Sequence, residues 1–200
     1  MKLFYRTISC AALFSLFLAY GTFAAEVPAK MSETLTIIDS DGARVTLTKD
    51  ELRQMPQLSS DQCIWVGKTS GYIGIFDYAG TSLNSVLRLA KKTAAAGDYF
   101  QENSYVIFKG TDGYQIIASW TELMDSPDGY RAMIALEKDG EPLPASEGRF
   151  RLVLPGDKYV GRSVKWLETI EVRLAEGFAP LSKKDEDSTS EIKISESSQE

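Results

Sequence analysis

Histidine is absent from the 200 residues. That absence removes imidazole general bases, Ser–His and Cys–His nucleophile pairs and every histidine-rich metal site at once. The two cysteines are Cys10, near the N-terminus, and Cys63. If the leader described below is cleaved, Cys63 is left without an intrachain partner. In an oxidising compartment such a thiol is buried, paired between chains or used as a ligand, and burial as a small apolar residue is the commonest of these. The remaining chemistry is cationic. Between residues 145 and 165 stand Arg149, Arg151, Lys158, Arg162 and Lys165 against only Glu147 and Asp157. Gly148, Gly156 and Gly161 let backbone N–H groups approach a ligand, and guanidinium forks match phosphate or carboxylate. The functional reading is an anion or phosphorylated-ligand site. The competing reading is a set of solvated strand-edge charges.

Composition narrows the setting of that cluster. The chain carries 22 Lys plus Arg against 28 Asp plus Glu, a net charge of −6, and loss of Lys2 and Arg6 with the leader makes it more acidic still. A general nucleic-acid binder is basic, so no nucleic-acid partner is expected. Apolar residues make up 44% and aromatics 10%, enough for a real core. Residues 1–25 open with Lys2 and Arg6, continue through an apolar run and end in Thr22-Phe23-Ala24-Ala25, the pattern of a secretory signal peptide. The expected location is the periplasm. The leader has no Arg-Arg pair, which points to export as an unfolded chain. Residues 26–181 then form one domain. From Ser182 to Glu200 large apolar residues nearly vanish, and the expectation is a disordered acidic tail.

The elements that must position these groups follow from periodicity. Residues 34–39 and 43–48 flank Ser40-Asp41-Gly42 as a hairpin. Thr48 and Glu51 have the spacing of a capping box for a short helix that Pro56 stops. Residues 63–76 read as strand and loop, punctuated by glycines. Leu83, Val86, Leu87 and Ala90 mark an amphipathic helix with Thr81 or Ser82 as N-cap and Gly97 beyond its end. Strands are expected at 104–109 and 114–118 around a Gly110–Gly113 turn, then a short helix capped by Ser119. Further strands are expected at 131–137, 150–154 and 164–174. About eight strands and two or three short helices in mixed order give an α+β, β-rich single domain.

The segment Glu147-Gly-Arg-Phe-Arg-Leu-Val-Leu-Pro-Gly156, continuing to Ser163-Val-Lys-Trp166 and a final strand, resembles the signature of the molybdopterin-binding domain of the sulfite oxidase family. Gly80-Thr-Ser-Leu83, Thr111-Asp-Gly-Tyr114 and Asp139-Gly-Glu-Pro-Leu143 are further marks of that family, in its order, across residues 34–174. The resemblance implies a sulfite oxidase-type fold. It places Arg151 on the arginine that binds the cofactor phosphate, and Ser163, Val164 and Lys165 on the segment that contacts the pterin. It sets Asp112 near an aspartate that recognises the ring, where a carboxylate accepts from the 2-amino group and the ring N–H. Trp166, Tyr114 and Trp65 are candidates for a flat face beneath the ring. Cys63 falls roughly where the family's oxidases keep the thiolate that binds molybdenum. Where the family commonly has a histidine shortly before the phosphate arginine, this chain has Ser146.

Three functions follow. The first, resembling short exported members of the family, is a periplasmic protein that binds a non-metallated pterin and acts as a ligand sensor for a membrane-bound enzyme of cyclic di-GMP signalling. The second is a molybdopterin-dependent oxidoreductase with Cys63 as the molybdenum ligand. The third is an interaction protein that keeps the fold without a ligand.

Overall fold

The computed structural model describes residues 31–93 and 103–175. The expected leader, the acidic tail and Gly97 lie outside the described residues. The chain begins with the expected hairpin, β1 (Thr34–Ile38) and β2 (Arg44–Thr48), paired antiparallel. At its turn the Asp39 carboxylate accepts the N–H groups of Asp41 and Ala43 at 3.0 and 2.8 Å. The capping box at the start of α1 (Lys49–Gln54) is also present, because Thr48 accepts from the Glu51 N–H and the Glu51 carboxylate accepts from the Thr48 N–H.

Beyond α1 come β3 (Gln57–Gly67) and β4 (Gly71–Ser82), a hairpin far longer than the strand and loop read from residues 63–76. The polar run Ser59-Ser60-Asp61-Gln62 hides the strand. Pairing there is interrupted between Ser60 and Cys63, where Gln62 takes a φ of 53° and its N–H donates to Asp77 Oδ1 at 2.6 Å. A bulge of this kind breaks the alternation on which a strand is recognised. Next comes α2 (Leu83–Thr93), whose Leu83, Val86, Leu87 and Ala90 are all buried, as their spacing demands. Thr81 serves elsewhere, its hydroxyl donating to the Leu52 carbonyl at 2.7 Å.

The second half runs through β5 (Ser104–Gly110), β6 (Gln115–Ser119), α3 (Trp120–Asp125), α4 (Pro127–Arg131) and β7 (Met133–Lys138). Ser119 caps α3 by accepting from the Glu122 N–H. Helix α4 displaces the expected strand start at Arg131, since Pro127 opens it and Ser126 Oγ accepts from the Gly129 N–H at 2.9 Å. The chain continues through β8 (Glu141–Pro142), β9 (Arg151–Val153), a 3-10 turn at Val160–Arg162 and β10 (Leu167–Leu174). Strand β10 begins three residues later than expected, which frees 164–166 for a loop.

Two sheets result. One has the order β2-β1-β10-β5-β6, with β1 and β10 parallel and the other pairs antiparallel. The other runs β3-β4-β7, with β8 and β9 both on the far edge of β7. Strand β7 is buried on both faces. Ile134 and Leu136 join the main core with Phe108, Trp120, Phe150 and Ile170, while Met133 and Ala135 join a second cluster around Trp65, Tyr78 and Val153. The site is built on the second cluster.

Where β4 crosses β7 the backbones leave no room for a side chain: a Cβ at Gly80 would lie 2.1 Å from the Ile134 carbonyl oxygen and 2.7 Å from Ala135 Cα. Overpacking of this kind costs roughly 1–3 kcal/mol, and more when the obstacle is backbone. Gly80→Ala is expected to cost at least about 2 kcal/mol of stability in a urea titration, while Gly113→Ala, with open space around it but a φ of 84° that strains a side chain, is expected to cost about 1 kcal/mol within its own turn.

Candidate functional site

On the second cluster sits a cavity of about 370 Å³. Its walls come from distant parts of the chain. Trp65, Ile73 and Phe76 come from the β3–β4 hairpin, Asp112 and Tyr114 from the β5–β6 turn, and Lys138 from the end of β7. Glu147 precedes β9, Arg151 opens it, and Val160, Ser163 and Lys165 follow it.

Its ionic centre is buried. Glu147 has a side chain 7% exposed, and its Oε1 accepts from Lys138 Nζ at 2.8 Å while Oε2 pairs with Arg151 Nη1. Burial by itself pushes the Glu147 carboxyl up, but Arg151 and the Lys138 hydrogen bond outweigh it and hold the group below the usual carboxylate range. Arg151, 3% exposed in its side chain, also donates from Nε to Ser163 Oγ at 3.0 Å, and that hydroxyl donates to the Leu152 carbonyl at 2.6 Å. Both cations rest on aromatic rings: Arg151 Cζ lies 3.9 Å from the Trp65 centroid and Lys138 Nζ 3.7 Å from that of Phe76. Trp65 is further stacked on Tyr78, with centroids 5.2 Å apart. Burial pushes the Tyr78 hydroxyl far above its ordinary range, so that ring stays neutral.

Two loops are locked beside this centre. The Trp166 N–H donates to the Glu147 carbonyl at 2.8 Å, and the Thr111 N–H to the Trp166 carbonyl at 3.0 Å. Trp166 takes a φ of 46°, a left-handed conformation that a large residue rarely adopts. Gly148, at φ 88°, faces it so closely that a Cβ there would lie 2.6 Å from Trp166 Cα. The Tyr114 hydroxyl donates to the Gly161 carbonyl, which ties the β5–β6 turn to the 3-10 turn.

Of the residues singled out in the sequence, Asp112, Tyr114, Arg151, Ser163 and Lys165 line the cavity. Val164 does not: its side chain is wholly buried in the main core, and its carbonyl accepts from the Leu152 N–H at 2.9 Å. Trp166 is not a wall either, because its indole N–H donates outward to the Ala145 carbonyl at 2.9 Å. Trp65 lines the cavity but is only 8% exposed and already carries Arg151 and Tyr78, so the freer ring is Tyr114, 45% exposed. Cys63 lies beside the cavity, not in its wall. It lines a narrow crevice behind Trp65, Val160 and Ser163, with Sγ 3.2 Å from Ser60 Oγ.

The basic cluster does not converge as a phosphate receptacle. Arg149 pairs with Glu33 at 2.8 Å, and Arg162 with Asp157 and Glu122. Hydrogen bonding to Asp157 and Glu122 raises the already high pKa of Arg162 further. Of the five cations only Arg151 and Lys165 reach the cavity. Lys138, Glu147 and Phe76 were not read as site residues. Phe76 lies within β4, Lys138 ends β7 and Glu147 stands in the loop before β9, positions that carry no local signal, although the carboxylate four residues before Arg151 is visible in the sequence.

A pterin ring fits the space and the donor set. The residues fit the rest of a molybdenum cofactor less well, since Cys63 stands outside the cavity wall and Arg151 is held by Glu147.

Glu147 also makes the fold acid-sensitive. A folded carboxyl held below its unfolded value stabilises above the unfolded pKa, near 4.5, and that contribution is lost as pH falls through the folded value. Urea titrations between about pH 6 and pH 3 are expected to show a steeper loss of stability for the wild type than for Glu147→Gln. At neutral pH the same variant, leaving Arg151 and Lys138 uncompensated, should cost about 3–5 kcal/mol.

Comparison with known proteins bears on the fold and the family. The sulfane dehydrogenase SoxCD from Paracoccus pantotrophus superposes with a TM-score of 0.53 and 19% identity, over 73% of this chain and 40% of that one. At that identity the likeness is one of fold, and the fold is the α+β sulfite oxidase type in a single domain. A nitrate reductase [NADPH] of Fusarium oxysporum is 33% identical over 103 residues, 48% of this chain and 10% of that protein. The chain thus spans well under half the length of either relative. The model of the oxidoreductase molybdopterin binding domain matches residues 24–179, which takes in both sheets and every wall of the cavity, and the chain belongs to that family.

Proposed function

We propose that this chain is a pterin-binding module that holds its ligand without turning it over. The observation that carries the reading is the convergence of Asp112, Tyr114, Phe76, Ser163 and Lys165 on one cavity from three separate stretches of the chain. Small-molecule sites occupy about 300–1,000 Å³. A cavity near 370 Å³ therefore suits a bicyclic ring with a short substituent and is small for a dinucleotide. Asp112 supplies the acceptor that the amino and N–H edge of a pterin needs, and its Oδ1 is already oriented by the Tyr114 N–H at 3.0 Å. Tyr114 and Phe76 supply aromatic contact. When bound, molybdopterin supplies redox chemistry at its metal. The residues described here supply ring recognition, and the thiol that such a metal would call on lies in the neighbouring crevice.

The leader-like residues 1–25 support a periplasmic site of action. The resemblance to short exported members supports a membrane-bound enzyme of cyclic di-GMP signalling as the receiver. In this reading the protein reports pterin supply to that enzyme.

Mass spectrometry of small molecules released from the natively purified protein, paired with molybdenum analysis, tests the proposal. A pterin and no stoichiometric molybdenum are expected. An empty extract, together with no binding of added pterins, overturns the reading, and molybdenum near one per chain replaces it with the oxidoreductase. Asp112→Asn removes a charged acceptor worth about 1.5–3 kcal/mol, and fluorescence titration should show pterin affinity falling about 10- to 100-fold.

A further inference from the structure

We infer that the ligand carries no phosphate group, and that Glu147 is the residue that sets this specificity. The inference rests on the pterin-binding reading and narrows it.

The charges around the cavity are three cations, Lys138, Arg151 and Lys165, and two carboxylates, Asp112 and Glu147. Glu147 engages two of the three cations with its two oxygens, Lys138 at 2.8 Å and Arg151 in closer contact. Each of those cations has a further partner, since Arg151 stacks on Trp65 and donates to Ser163 while Lys138 lies over Phe76. A phosphate that reached Arg151 would have to displace Glu147, leaving a carboxylate 7% exposed without its counter-charge, or else sit beside it as a like charge. Either is unfavourable in a buried setting. The Ser163 hydroxyl gives no help, because it accepts from Arg151 and donates to Leu152.

What is left for an anion is Lys165, which is exposed and, among the described residues, has no carboxylate at ion-pair distance. One solvated lysine at a rim holds a phosphate weakly. Glu147 thus does for Arg151 what a ligand phosphate would otherwise do, and the cavity favours a neutral pterin with a hydroxylated or short side chain.

The test uses neopterin and its monophosphate ester, titrated against the full-length protein by pterin fluorescence. The wild type is expected to bind neopterin at least about tenfold more tightly than the ester. Glu147→Gln, which frees the Arg151 charge, is expected to shift that ratio at least about tenfold toward the ester, with Lys165→Gln changing it far less. The wild-type ratio decides the question even if Glu147→Gln fails to fold. Equal or tighter binding of the ester by the wild type overturns the inference and leaves the pterin reading standing, and so does a ratio that Glu147→Gln does not move. Failure of both probes to bind overturns both.

Discussion

The buried chain of charge from Lys138 through Glu147 to Arg151 is the interaction on which the rest of the site depends. Its three members come from the end of β7, the loop before β9 and β9 itself, and both cations lie on rings from the β3–β4 hairpin. A carboxylate this deeply buried is tolerated only because both oxygens are paired, and removing one member strands the others. The arrangement therefore fixes where the hairpin, β7 and the loop at 143–150 sit relative to one another. The walls of the cavity are the surfaces those elements leave facing each other.

Backbone geometry reinforces the same positions. Strand β7 is buried on both faces, and β4 passes it at Gly80 with no space for a Cβ. The Gly148–Trp166 crossing closes the loop carrying Glu147 against the loop carrying Ser163 and Lys165. Trp166 is thereby held in a conformation costing of the order of 1 kcal/mol or more, and its indole is turned to Ala145 and away from the cavity. A residue that reads as a stacking platform in the sequence is a strut in the structure.

Locally encoded features were legible. The β1–β2 hairpin, the Thr48–Glu51 capping box, the Ser119 cap and the apolar face of α2 depend on contacts within a few residues, so spacing sufficed. The β3–β4 hairpin was read only in part, because its outer half is polar and its register slips at Gln62. Helix α4 was missed, since five residues give periodicity nothing to act on. In the site, Asp112, Tyr114, Arg151, Ser163 and Lys165 were named through resemblance, and the structure gathers them. Val164 and Trp166 share their segment yet point elsewhere, a difference set by which side of the 163–166 loop packs on the core.

By itself the sequence determined the chemical repertoire: no imidazole anywhere, an acidic chain, a basic cluster between residues 145 and 165, and the alternation that makes most of the strands. Which charges remain available to a ligand was decided only in three dimensions. Arg149, Arg151 and Arg162 look alike along the chain, but folding gives Arg149 the distant Glu33, adds Glu122 to the nearby Asp157 at Arg162, and sets Lys138 against the Glu147 that Arg151 holds. The reason is the range of the interactions. Propensity and capping act within a turn or two of the backbone, whereas the rings beneath Arg151 and Lys138 and the carboxylates of Glu33 and Glu122 reach their cations only when the fold brings distant residues together.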